Sequence, residues 1–313
     1  MNTYHTRFNH SHNGLRQNTH NSLNLLPNCQ IPELAGQHTD YYSADSPELC
    51  PNIQHFCAYP HHIDYKFNSR GFRDQEWPQD LAQLQTSIWC IGDSATVGVA
   101  NPLEHTWVHL LGQRTGRRTI NVSMTGASNT WIARKACEIL QEIKPRHAVI
   151  QWSYFSRRES INTTRADLDR QLQHDSVLEL SRDVDHFKQC LNQVELVKGH
   201  TVIVHSVVPD AFAGISVKEI RGWWYTHRLP HWPDQTPRSW AEITDLIKKE
   251  LDKKDLLESF YWHYHMQDFM QQQEIVLLDQ LHENFERERA RDSLHYDIKT
   301  ATIFVDQIWK RLL

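Results

Sequence analysis

The sequence predicts an α/β fold: a three-layer α/β/α sandwich built on a mainly parallel five-stranded sheet. Three observations point there. Short continuous apolar runs recur at 88–91, 119–122, 148–150, 201–204 and 275–278, as strands covered on both faces require. Stretches with helical spacing separate several of these runs, and such alternation is the pattern of a parallel sheet. A well-patterned amphipathic segment closes the chain, with Ile298, Ala301, Val305, Ile308 and Leu312 on one face. Five strands suit a flavodoxin-like order, 2-1-3-4-5.

Taken in order, residues 1–30 are rich in Asn, His, Ser and Thr and read as a weakly ordered polar arm. Residues 31–84 form an N-terminal extension in which Tyr41, Tyr42, Phe56, Tyr59, Tyr65 and Phe67 recur among Pro and Asp. That pattern predicts an irregular, partly β segment packed on something larger. Residues 85–313 make the main domain. Its first strand, Ile88-Trp89-Cys90-Ile91, ends at Gly92. After the second strand, Ser128 or Asn129 can cap a helix carrying Ile132, Ala136, Ile139, Leu140 and Ile143. Pro145 stops that helix before the third strand, and a polar helical stretch from Arg165 to about Lys198 precedes the fourth. The segment 210–273 is too long for a single crossover and holds Trp223, Trp224, Tyr225, Trp232, Trp240, Tyr261, Trp262 and Tyr264. It reads as a helical, aromatic-rich insertion whose rings serve the core or cap the site.

Composition excludes several classes. The chain has 313 residues, of which 39% are hydrophobic, with 11 Trp, 11 Phe and 10 Tyr to bury, so it is not a disordered chain. No apolar run reaches the roughly 18 residues of a membrane span. The formal net charge is -5 and no basic stripe stands out, which argues against a nucleic-acid partner. The 6 Cys are scattered without C-x-x-C spacing, as free thiols in a reducing compartment would be. With no apolar segment near Met1 resembling a signal peptide, the default expectation is a cytoplasmic protein, export by another route or within a particle being compatible too. The 21 His are several-fold above common usage, yet His61-His62 and the 262–265 cluster lack metal-ligand spacing, so no metal or other cofactor is expected.

Chemistry concentrates at two places. In a doubly wound sheet, ligands bind beyond the C-terminal strand ends, and the first strand delivers Gly92-Asp93-Ser94-Ala95-Thr96-Val97-Gly98 to that edge. Ser94 is a candidate nucleophile that needs a base, while Asp93 reads as a structural tie for loop amides. The base is offered by Asp292-Ser293-Leu294-His295, just before the last helix. There His295 can take the Ser94 proton while Asp292 sets the imidazole tautomer. The D-x-x-H pattern also occurs at Asp183/His186, inside a predicted helix, and at Asp279/His282, directly after the fifth strand. The position before the closing helix favours the Asp292/His295 pair. Arg157, Arg158 and Glu159 read as a surface salt-bridge cluster rather than a substrate clamp.

These motifs resemble the SGNH hydrolases, also called GDSL esterases, from Asn68 to the C-terminus. Asn68-Ser69-Arg70-Gly71-Phe72-Arg73-Asp74 is similar to a segment that precedes the catalytic domain in one branch. Gly92-Asp93-Ser94, continued by Thr96, Gly98 and Trp107, resembles the first family block, and Gly126 the second. Asp292 and His295 match the final block. The third block departs: Gln151-Trp152-Ser153-Tyr154 stands where the family carries an Asn whose side chain donates to the oxyanion. Loss of one such donor costs ~10²–10³ in rate unless replaced, and Gln151 or Ser153 could substitute.

The resemblance implies a serine esterase with Ser94, His295 and Asp292 as the triad and the N–H groups of Ser94 and Gly126 in the oxyanion hole. It implies a short acyl group, acetyl first, on a small molecule or carbohydrate. Two other readings remain open at this point: an acyltransferase using the same triad, and a weak or inactive binding protein on the same fold.

Overall fold

The computed structural model describes residues 25–154, 157, 177–207, 289–293 and 295–312. The predicted strand at 275–278, the insertion 210–273, most of the polar arm and the start of the helical stretch after Arg165 lie outside the described residues. In the extension, β1 (His38–Thr39) pairs antiparallel with β2 (Tyr65–Lys66), and α1 (Ile53–Ala58) lies between them in sequence. The main domain follows as α2 (Leu81–Thr86), β3 (Ile88–Gly92), α3 (Ser94–Val97), α4 (Trp107–Thr115) and β4 (Thr119–Ser123). It continues as α5 (Asn129–Glu142), β5 (His147–Trp152), α6 (Val177–Val197), β6 (Val202–Val207) and α7 (Ile298–Leu312).

The strands β3 to β6 form one parallel sheet in the order β4-β3-β5-β6. Numbered along the chain, that is 2-1-3-4, the described part of the flavodoxin-like order. The chain enters at the sheet's interior, moves to β4 on one side of β3 and then to β5 on the other, so the order reverses between β3 and β5, while Gly92 at the end of β3 lies opposite Ser123 at the end of β4. A crevice for ligands belongs where the order reverses.

Strand alternation sorts the core into two faces. Trp89, Ile91, Ile120, Val122, Ala148, Ile150 and Trp152 pack with α5, α6 and the extension. Ile88, Cys90, Val149 and Val204 face the other way, against α4 and α7. Burial pushes the Cys90 thiol well above its ordinary range, consistent with a small hydrophobe in the core. On the α4/α7 side Trp107 meets Phe304 edge-on at 5.2 Å; Trp107 therefore belongs to the core and not to the site. Phe304→Ala is expected to lower stability by about 3–5 kcal/mol, measurable by urea unfolding.

The helices begin where their caps allow. Ser128 caps α5 by accepting the Trp131 N–H at 3.1 Å, and Asp80 and Thr106 do the same for α2 and α4. The extension is not a separate layer, because Ile31, Leu34, Ile63, Phe67, Phe72 and Trp77 share one cluster with the sheet. Leu26 and Cys29, assigned above to the polar arm, are buried in that cluster too. Their side chains are apolar, and the Arg70 guanidinium binds the carbonyls of Leu25 and Leu26 at 2.9 and 2.8 Å.

The Asn68–Asp74 motif is the fastener. Asn68 Oδ1 accepts the N–H groups of Arg70 and Phe72, turning the chain so that Phe72 stacks on Trp77. Asp74 accepts the Asn121 N–H and an Arg118 N–H from the β4 side; burial raises its carboxyl to about 6 even though Arg118 opposes the shift.

Candidate active site

The geometry starts at Gly92. A side chain there would lie 2.0 Å from Thr96 Oγ1 and 3.0 Å from the Gln151 carbonyl, so the end of β3 can turn tightly into α3 only with glycine. Asp93 then caps α3, its Oδ1 accepting the Ala95 N–H at 3.0 Å, and Ser94 is the first residue of the helix. Arg73, from the fastening motif, donates to the carbonyls of Gly98 at 2.6 Å and Asn101 at 2.8 Å. A buried guanidinium thus ties off the loop that follows the candidate nucleophile, although burial lowers its proton affinity.

The second half comes from far along the chain. Asp292 Oδ1 accepts the His295 N–H at 3.0 Å, and Oδ2 lies 2.6 Å from His295 Nδ1. Ser293 between them has φ 62°, a left-handed conformation that a serine adopts at some cost and that tightens the turn. A carboxylate only accepts, so Nδ1 carries the proton and Nε2 offers its lone pair. His295 Nε2 lies 2.9 Å from Ser94 Oγ. Asp292 is fully buried, whereas the His295 side chain keeps 19% of its surface.

Three of the residues singled out from the sequence, Ser94, His295 and Asp292, are therefore brought into one hydrogen-bonded chain 201 residues apart in sequence. Gly126 lies in the loop after β4, at the same sheet edge, with φ 74°. Among the described residues, the N–H groups of Ser94 and Gly126 meet no acceptor.

The two third-block candidates are engaged elsewhere. Ser153 Oγ donates to Asp93 Oδ2 at 2.5 Å. Gln151 is buried; its Oε1 accepts from Thr96 Oγ1 at 2.9 Å and its Nε2 faces Tyr296 Oη at 3.4 Å. Arg157, read above as part of a surface cluster, instead pairs with buried Asp93 at 3.0 Å and with Ser153 Oγ at 2.9 Å. The reason is local: the Asp93 carboxylate, 1% exposed, needs a cation beside it. Arg158 and Glu159 lie outside the described residues.

No protein-family model matches the chain, and no curated protein does. Solved structures do. The chain is similar to a protein described as lipolytic, of the G-D-S-L family, from Desulfitobacterium hafniense, at 14% identity and TM-score 0.41 over 73% of this chain and 99% of that one. It is similar to the psychrotrophic esterase EstA from Pseudoalteromonas sp., at 13% identity and TM-score 0.38 over 72% and 96%. A third is a family two carbohydrate esterase from Clostridium thermocellum solved with cellohexaose, at 10% identity and TM-score 0.36 over 72% and 62%.

The competing D-x-x-H pairs differ in place. Asp183 and His186 lie on α6, where His186 Nε2 is 3.0 Å from Thr130 Oγ1 near the start of α5, whereas Ser94 Oγ faces His295. Asp279 and His282 lie outside the described residues. Among the described residues no helix is long and apolar enough to cross a membrane, and no three His, Cys, Asp or Glu side chains are grouped to hold a metal. Asp45, Tyr65 and Arg291 form a buried hydrogen-bonded cluster beside the Asp292 loop that the sequence did not single out for the site. Nothing in their spacing marks them.

Proposed function

We propose that the protein is a serine ester hydrolase of the SGNH type. The observation that carries this reading is the chain Ser94 Oγ–His295 Nε2/Nδ1–Asp292 at 2.9 and 2.6 Å, placed at the C-terminal edge of a parallel sheet. Ser94 Oγ attacks the ester carbonyl carbon as its proton passes to His295 Nε2. The carbonyl oxygen becomes an oxyanion, received by the N–H groups of Ser94 and Gly126. Collapse breaks the ester bond, and His295 returns the proton to the departing alkoxide. Water then attacks the acyl-enzyme, gives a proton to His295, and the acid leaves as Ser94 regains its hydroxyl proton. Asp292 keeps the imidazole in the required tautomer and faces the imidazolium when it forms.

The motif resemblance favours a short acyl group, acetyl first, on a small alcohol or carbohydrate. Ser153 donates to Asp93, so the reading rests first on backbone donors for the oxyanion, and Gln151 Nε2, which carries two N–H groups, is the side-chain donor that could join them. The test is labelling by a fluorophosphonate probe together with hydrolysis of p-nitrophenyl acetate. Labelling at Ser94 with turnover is the expected result. A folded protein that neither labels nor hydrolyses would be a binding protein on this fold. Partition of the acetyl group to added sugar instead of water would make it a transferase. Because His295 moves the proton, activity is expected to survive EDTA; a loss that zinc restores would contradict this mechanism.

A further inference from the structure

The loop bearing Asp292 and His295 is gripped by the N-terminal extension. Arg291 Nε and Nη2 reach Asp45 Oδ1 and Oδ2 at 2.8 and 2.7 Å, a two-pronged contact that sets angle as well as distance. Asp45 is completely buried, and its Oδ2 also accepts from Tyr65 Oη at 2.6 Å. Tyr65 Oη accepts the Ala100 N–H at 2.8 Å, and the Ala100 carbonyl accepts the Arg291 N–H at 3.1 Å. The four residues close a ring. It joins the extension to the loop after α3 on one side and to the residue before Asp292 on the other.

Further ties run along the same loop. His55 Nε2 lies 2.9 Å from the Ala290 carbonyl and Cys50 Sγ 3.5 Å from the Asp292 carbonyl. The Arg291 guanidinium rests over Phe56 at 4.9 Å. Burial alone would lower the proton affinity of Arg291; Asp45 foremost, together with Tyr65 and Tyr41, more than offsets it. An ion pair this buried contributes little net stability over a well-packed apolar pair, while it holds one arrangement against others. The chemistry needs that. A misplacement of about 1 Å costs on the order of 10²-fold in rate, and Asp292 follows Arg291 directly.

We propose that Asp45 is a positioning residue for the Asp292–His295 pair, acting through Arg291, so that the extension is a working part of the active site. The proposal rests on the esterase reading above. Its test is a double-mutant cycle on p-nitrophenyl acetate, with folding checked by circular dichroism and assays run well below the lowest Tm. Asp45→Asn, which keeps the shape but not the charge, is expected to lower kcat at least ~10-fold with KM changed less than ~2-fold. In the Asp292→Asn background the same change is expected to cost less than ~2-fold, because the group it orients has already lost its charge. A merely structural role would move Tm and give equal losses in both backgrounds. Either that equality or a wild-type kcat in folded Asp45→Asn would overturn the proposal.

If Asp45→Asn does not fold, Tyr65→Phe, which removes only the hydroxyl between Asp45 and Ala100, is run through the same cycle with the same two outcomes. Ser94→Ala is carried alongside. Wild-type turnover in that variant would overturn the reading of Ser94 as the esterase nucleophile, independently of what Asp45 does.

Discussion

Ser94→Ala is expected to reduce hydrolysis of p-nitrophenyl acetate by on the order of 10⁴ or more while leaving Tm within a few degrees. The two halves of that expectation have separate physical origins. In the proposed mechanism the Ser94 hydroxyl oxygen is the atom that bonds to the acyl carbon, so its removal ends the covalent step. Among the described residues it makes one hydrogen bond, to His295 Nε2 at 2.9 Å. The abandoned nitrogen belongs to a side chain that keeps 19% of its surface, so water can replace the lost partner. A neutral hydrogen bond of about 1 kcal/mol moves Tm by only a few degrees in a domain of this size. Initial rates and a thermal melt on the same preparation check both. Near wild-type turnover would remove Ser94 as the nucleophile.

His295→Ala and Asp292→Asn form the second large expectation. In the proposed mechanism the imidazole accepts the Ser94 proton, so without it kcat is expected to fall by on the order of 10³ or more. Asp292→Asn keeps the turn but lets the amide donate to Nδ1, which favours the tautomer with the proton on Nε2, facing Ser94. That wrong tautomer is expected to cost on the order of 10³–10⁴ in kcat, with KM little changed. Stability is expected to fall modestly, because the buried carboxylate accepts both the His295 N–H and Nδ1–H and an amide oxygen still accepts one. His282→Ala is the control, expected to cost much less. Should His282→Ala be the dead variant and His295→Ala nearly normal, the base has been assigned to the wrong D-x-x-H pair, while Ser94 could stand.

The elements that depend on local pattern were readable from residues alone. The four described strands of the main sheet coincide with continuous apolar runs, and α5 begins after the Ser128 that its side chain qualifies as a cap. The closing helix runs from Ile298 to Leu312 with its apolar face buried, as its spacing predicted. Strand period, helix period and capping are properties of neighbouring residues, so the sequence expresses them directly. The candidate chemistry was legible for a similar reason. Gly92-Asp93-Ser94 and Asp292-x-x-His295 are each short, and position along an α/β chain already says which edge of the sheet a segment reaches.

Other features depend on which distant residues meet, and short patterns do not carry that. Arg157 looked like one of several surface charges until the fold buried Asp93 and gave that carboxylate a cation at 3.0 Å. Ser153 and Gln151 were equal candidates for an oxyanion donor; the fold turned one toward Asp93 and the other toward Thr96 and Tyr296. Asp45 and Arg291 are 246 residues apart, with no spacing or composition that links them. Thus the sequence by itself determined the layered α/β architecture and the residue types available for proton transfer, because both are written in local periodicity and side-chain chemistry. Only the tertiary structure decided which buried charges pair and which donors are spent, because burial makes an unpaired charge or polar atom costly and so lets packing, rather than proximity in the chain, choose each partner.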